Sequence, residues 1–226
     1  MVENKSIFWQ ALIFTLVIFV LGLIFGFFVE SFRTDRVVSN LQGSETSLLD
    51  EQLRSKIVGE SNISCDLAKS SLFTFADRTY SEALKLENYG AASKFSNDML
   101  NTLHKRYDLL RMMMWLESIN LKERCGNFHA IVYFFDYEPQ KVGLSAEQNF
   151  FSGLLTDLKN RHPAEILLIP IASNLDTSSI ELAMEDYNIT RVPSILIDEK
   201  KIVDGVITLE ELENITFSGD KLKKFK

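Results

Sequence analysis

Cysteine is scarce in this chain of 226 residues: there are two, Cys65 and Cys125, and no Cys-x-x-Cys pair. Histidine is nearly as rare, and His104, His129 and His162 have no ligand-like spacing to each other or to the cysteines. No metal is expected from such a pattern. Positive charge is in deficit, at a net −7, which argues against a nucleic-acid surface. The deficit is uneven, since residues 126–226 hold 10 basic against 16 acidic residues, an acidic end that reads as a soluble surface. Gly-rich phosphate loops, hydrolase arrangements of serine or cysteine, and paired carboxylates in a defined context are also lacking. No cofactor is expected.

What the chain does have is a long apolar run. Ile7 to Val29 is interrupted only by Gln10 and Thr15. As a helix it would span about 34 Å, enough to cross a hydrocarbon core. A cleaved signal peptide has a shorter apolar stretch and a small-residue cleavage site, whereas this run ends in Gly-Phe-Phe-Val-Glu-Ser-Phe-Arg. The reading is an uncleaved single-pass anchor over 7–29 behind a tail of residues 1–6. Trp9 marks one interface, and Phe27, Phe28 and Phe32 mark the other. Lys5 and the terminal amine balance Arg33 and Arg36, so flanking charge does not set the orientation. Gly22 and Gly26 form a small-xxx-small spacing, a candidate helix–helix contact.

Residues 30–64 read as a juxtamembrane linker. It is polar over residues 30–47, with Gly43-Ser-Glu-Thr, and carries a short amphipathic helix over Ser47–Val58, ended by Gly59-Glu-Ser-Asn. From Cys65 the apolar spacing turns helical: Phe73, Ala76, Tyr80 and Ala83, with Asn88-Tyr-Gly90 as a stop. Leu100, Leu103, Tyr107, Leu110 and Met114 form the seam of a second helix. Residues 65–125 therefore predict a helical hairpin whose two ends carry Cys65 and Cys125. The helices, about 22 and about 28 residues, would differ by about 9 Å at 1.5 Å per residue, a mismatch that Leu121–Arg124 would absorb by folding back. A structural disulfide, free thiols and a redox-active pair all remain open. A disulfide would imply an oxidising compartment and place the C-terminal domains outside the cytoplasm. Asn62-Ile-Ser64, Asn188-Ile-Thr190 and Asn214-Ile-Thr216 match the glycosylation acceptor pattern. Met112-Met-Met-Trp115 reads as packing, because consecutive helical residues point apart and cannot converge on one ion.

The remainder predicts an α/β domain over 126–217. Phe128–Phe135 and Glu165–Ala172 are short apolar runs suited to buried strands. Ser145 and Gln148 suggest a capping box for the helix between them, Asp176 a cap for the next, and Thr208 with Glu211 a capping box for the last. Residues 194–204 read as a hairpin. The basic stretch Lys221–Lys226 reads as a solvated tail, residues 218–226.

The order β-α-β-α-β-β-α, with Tyr187-Asn-Ile-Thr-Arg-Val-Pro193 before Ser-Ile-Leu-Ile-Asp and Gly205, resembles the thioredoxin family over about residues 127–217. The resemblance implies a cis peptide bond at Val192-Pro193 and a peptide groove there, faced by Tyr137 and Pro139. Family catalysis needs two cysteines at the start of the first helix, where the thiol pKa is lowered. This chain has Tyr137-Glu-Pro-Gln-Lys141 instead, and Tyr133 or a neighbour replaces the family's buried acid. Three functions follow as expectations. The first is a membrane-anchored, redox-inactive module that binds another protein. The second is an oxidoreductase using Cys65 and Cys125, and the third is an architectural homo-oligomer.

Overall fold

The computed structural model describes residues 3–60, 63–91 and 97–218. The chain divides into two units, Met1–Glu51 and Gln52–Lys226.

Helix α1 runs Glu3–Glu60. It contains one segment, Ile7–Val29, long and apolar enough to cross a membrane. Every side chain of that segment is exposed, and an added Cβ at Gly22 or Gly26 would meet open space. Thr15 donates its hydroxyl to the carbonyl of Ala11 at 2.9 Å, the back-bond that settles a hydroxyl inside an apolar helix. Residues 30–60 differ from the expected linker, for the helix continues through Gly43 and ends at Glu60. One glycine costs a helix only about 1 kcal/mol.

In the second unit α2 spans Cys65–Ala91 and α3 spans Asn97–Cys125. They pack on each other, and a disulfide joins Cys65 at the start of α2 to Cys125 at the end of α3, with Cα atoms 5.4 Å apart. The helices have 27 and 29 residues, so their lengths differ by about 3 Å. The expected fold-back at Leu121–Arg124 is therefore not needed, and these residues stay helical. The difference arises because α2 continues through Asn88-Tyr-Gly90, where a stop was expected. Arg54, in the last part of α1, places its guanidinium on the Glu117 carboxylate at 2.9 and 2.6 Å and reaches Ser71 at 3.3 Å. That fork-to-carboxylate geometry ties three helices together. Met112, Met114 and Trp115 are buried and serve packing.

Strands β1 (His129–Phe135), β2 (Ile166–Ala172), β3 (Ser194–Ile197) and β4 (Lys201–Val203) form one sheet in the order β2-β1-β3-β4. Strands β1 and β2 are parallel, joined through α4 (Val142–Arg161), while β3 is antiparallel to both β1 and β4. Helix α5 (Ser178–Asp186) precedes β3, and α6 (Leu209–Phe217) follows β4. Alternation splits the sheet's side chains between two faces. Ile131, Tyr133, Ile195 and Ile197 point into one core with Phe151, Leu155 and Leu158 of α4 and Leu212 of α6. On the other face Phe134 meets the edge of Trp115 from α3, with centroids 5.9 Å apart.

The helix starts follow the sequence unevenly. Thr208 and Glu211 make the full reciprocal capping box of α6. Helix α4 starts earlier than expected, at Val142, with Lys141 at its N-cap and no side-chain cap. Ser145 thus lies inside it. Thr177, not Asp176, is the N-cap of α5, and Asp176 takes a left-handed φ of 48° instead.

Candidate functional site

The register places the end of β1 beside the start of β3, with Phe134 opposite Ser194. Parallel pairing brings the end of β2 to the same place, with Phe135 opposite Ala172. One end of the sheet thus gathers the turn after β1, the residues after β2 and the loop before β3.

The loop before β3 carries a cis peptide bond at Val192-Pro193. Pro193 is buried and Val192 half-buried. The Ser194 hydroxyl donates back to the Arg191 carbonyl, and the Arg191 guanidinium reaches Glu147 on α4 at 2.6 Å. Among the described residues the Val192 N–H and C=O have no hydrogen-bond partner. An unpaired N–H and C=O are what an extended segment needs for main-chain pairing.

The turn facing it is closed. The Gln148 carboxamide accepts from the Asp136 N–H at 3.2 Å and donates to the Asp136 C=O at 2.9 Å. The Asn174 carboxamide does the same for Tyr137, at 2.7 and 2.9 Å. Ser173 donates its N–H to the Phe135 carbonyl at 2.8 Å and its hydroxyl to the Asp136 carboxylate at 2.8 Å. Two consecutive backbone units are therefore saturated by side chains. The ring of His104, from α3, lies 4.1 Å from that of Tyr137. Burial, joined by the nearby Arg111 cation, lowers the His104 pKa against the opposing pull of Glu138. Pro139 lies half-buried in the same turn.

Below the turn, Tyr133 is buried and donates its hydroxyl to the Gln148 carbonyl at 3.1 Å. Burial pushes its pKa up, so the phenol stays protonated. Asp108 of α3 is buried beside Arg111, 2.9 Å away, and is hydrogen-bonded by the Ala172 backbone. Burial outweighs both partners and raises the carboxyl to about 6.

Of the residues singled out in the sequence, Val192, Pro193, Tyr137 and Pro139 thus lie at one end of the sheet. Cys65 and Cys125 do not, because Cys125 ends α3 just before the start of β1. The seven residues of β1 at 3.3 Å each put about 20 Å between the two ends. Gly22 and Gly26 belong to the other unit. His129 pairs with Asp198 and His162 with Glu213, each at 2.6 Å, and no metal-ligating cluster occurs among the described residues.

Sequence reasoning missed Gln148, Asn174, His104 and Asp108 as parts of this site. A signal existed for Gln148: Leu144, Gln148, Phe151, Leu155 and Leu158 fall at helical spacing, which places a carboxamide on a buried stripe.

No family model matches this chain, and no curated protein does. Among solved structures it is similar to thioredoxin O2 from Arabidopsis thaliana in its oxidised state. The similarity has a TM-score of 0.33 and 16% identity, over 47% of this chain and 87% of that one.

Proposed function

We propose that this chain is a single-pass, membrane-anchored protein with a helical hairpin and a thioredoxin-like domain, β-α-β-α-β-β-α, that binds another polypeptide without thiol chemistry. The observation that carries the reading is the contrast across one end of the sheet. Val192 leaves its N–H and C=O unpaired beside a cis proline, while the opposite turn holds Tyr137 and Pro139 where a dithiol would have to stand. The Asp136 and Tyr137 amides of that turn are taken by Gln148 and Asn174. An extended segment laid along Val192 would gain main-chain bonds there. The two cysteines staple α2 to α3 at the far end, consistent with a structural role outside the cytoplasm.

Insulin reduction tests the chemistry: the protein is expected to be inert, with Cys65→Ser/Cys125→Ser giving the same baseline. Turnover that disappears in the double variant would transfer the function to the two cysteines. That second reading draws on the exposure of Cys65, and the reduction potential separates the two. A structural bridge lies below about −300 mV and a working one above it. Self-association through Gly22 and Gly26 draws on the open space at both; Gly22→Leu would then lower the detergent-solubilised mass.

A further inference from the structure

Two of the three Asn-Ile-Ser/Thr triplets lie wholly among the described residues, and the fold treats them in opposite ways. Asn214 is on α6, and although Asn214 is exposed, Thr216 is 2% exposed and its hydroxyl donates to the Leu212 carbonyl at 2.8 Å. An acceptor site needs the asparagine amide and the hydroxyl two residues on to be presented together. Here the hydroxyl is committed to the helix and turned into the core. Asn188 and Thr190 are both exposed, in the irregular stretch between α5 and β3. Only Ile189 between them is buried, 6% exposed, as the anchor of that stretch. Asn188 adopts a left-handed φ of 53°, at the end of a helix where asparagine tolerates that conformation. Its backbone N–H is used by Glu185 at 3.1 Å, but among the described residues neither the Asn188 carboxamide nor the Thr190 hydroxyl has a hydrogen-bond partner.

We propose that Asn188 is an N-glycosylation site and that Asn214 is not. The proposal rests on the reading that this part of the chain lies outside the cytoplasm. The donor is an oligosaccharide carried on a lipid phosphate or pyrophosphate, transferred by a membrane oligosaccharyltransferase. The Asn188 amide nitrogen forms a bond to the anomeric carbon, the carbon–oxygen bond to the lipid phosphate breaks, and the amide gives up one proton. No oxidant or reductant is involved. The product carries a polar glycan four residues before Val192, on the loop that presents it.

The test is peptide mapping of the full-length protein from its native membrane, with and without reductant. Trypsin releases Asn188 within residues 162–191 and Asn214 within 202–221. The expected result is a glycan mass on the first peptide alone, lost in both Asn188→Gln and Thr190→Ala and kept in Asn214→Gln. A bare 162–191 peptide in protein whose Cys65–Cys125 bridge is oxidised overturns the site while leaving the compartment reading intact. A bare peptide with both cysteines reduced overturns the compartment reading and the site with it. A glycan on 202–221 instead overturns the claim that the fold selects between the two.

Discussion

Gln148 and Asn174 do for the turn after β1 what a neighbouring strand would do: each carboxamide meets both the N–H and the C=O of one residue. Leaving a buried donor and acceptor without partners costs about 1–3 kcal/mol. Gln148→Leu, which keeps the apolar volume, is therefore expected to lower stability by about that amount. Asn174→Ala should cost less, about 1 kcal/mol, because its bonds are exposed; denaturant titration checks both. Asp108 carries a pH signature. Its carboxyl rises from an ordinary 3.8 to about 6 in the folded chain, so the native state binds the proton more tightly than the unfolded one. Between about pH 4 and pH 6 this residue's contribution to stability must fall as pH rises, and level off above. Subtracting the pH–stability curve of Asp108→Asn from that of the wild type should give a decline across this window, and a flat difference would remove Asp108 as its source.

At the scale of elements, the β3–β4 turn shows how side chains hold a backbone that sequence alone would not choose. Asp198 and Glu199 take φ values of 52° and 57°, a conformation usually left to Asn-Gly in two-residue hairpins. The Asp198 carboxylate takes the Ala130 N–H at 3.0 Å, His129 at 2.6 Å and the Lys122 ammonium. Burial pushes its pKa up, but the hydrogen bonds from His129 and Lys122 outweigh it and hold the carboxyl below its usual range. Glu199 accepts the indole N–H of Trp115 at 2.8 Å. The turn is thus fastened to α3, and Trp115→Phe should cost about 1–3 kcal/mol by leaving Glu199 half-buried without its donor, measurable as a shift in denaturation midpoint. Elements of this kind were legible where a short apolar run met turn residues. Phe128–Phe135 predicted β1 to within a residue, and Thr208 with Glu211 marked the start of α6. Elements whose ends depend on tertiary support were not. Gly43 and Gly90 suggested breaks that α1 and α2 run through, and Ser145 suggested an N-cap that the observed one, Lys141, precedes by four residues. The cis bond at Val192-Pro193 was legible through a resemblance. The residues that hold the turn of Tyr137 and Pro139 were not, because Asn174 and His104 reach it from elements far away in sequence.

For the whole molecule, Ile7–Val29 sets the expectation that the chain stays with the membrane through alkaline carbonate extraction and is released only by detergent. The disulfide closes a loop across a separation of 60 residues, for which the chain-entropy account gives about 4 kcal/mol. Cys65→Ser/Cys125→Ser should accordingly lose stability of that order while losing no catalytic function. In the proposed function the Val192-Pro193 end of the sheet engages a polypeptide through main-chain groups. A photo-crosslinking amino acid at Val192, activated in native membranes, tests it most directly. The expected result is a discrete protein adduct that survives reduction and persists in the Cys65→Ser/Cys125→Ser variant. The absence of any adduct beyond that from the same probe at exposed Leu182 on α5 would contradict it.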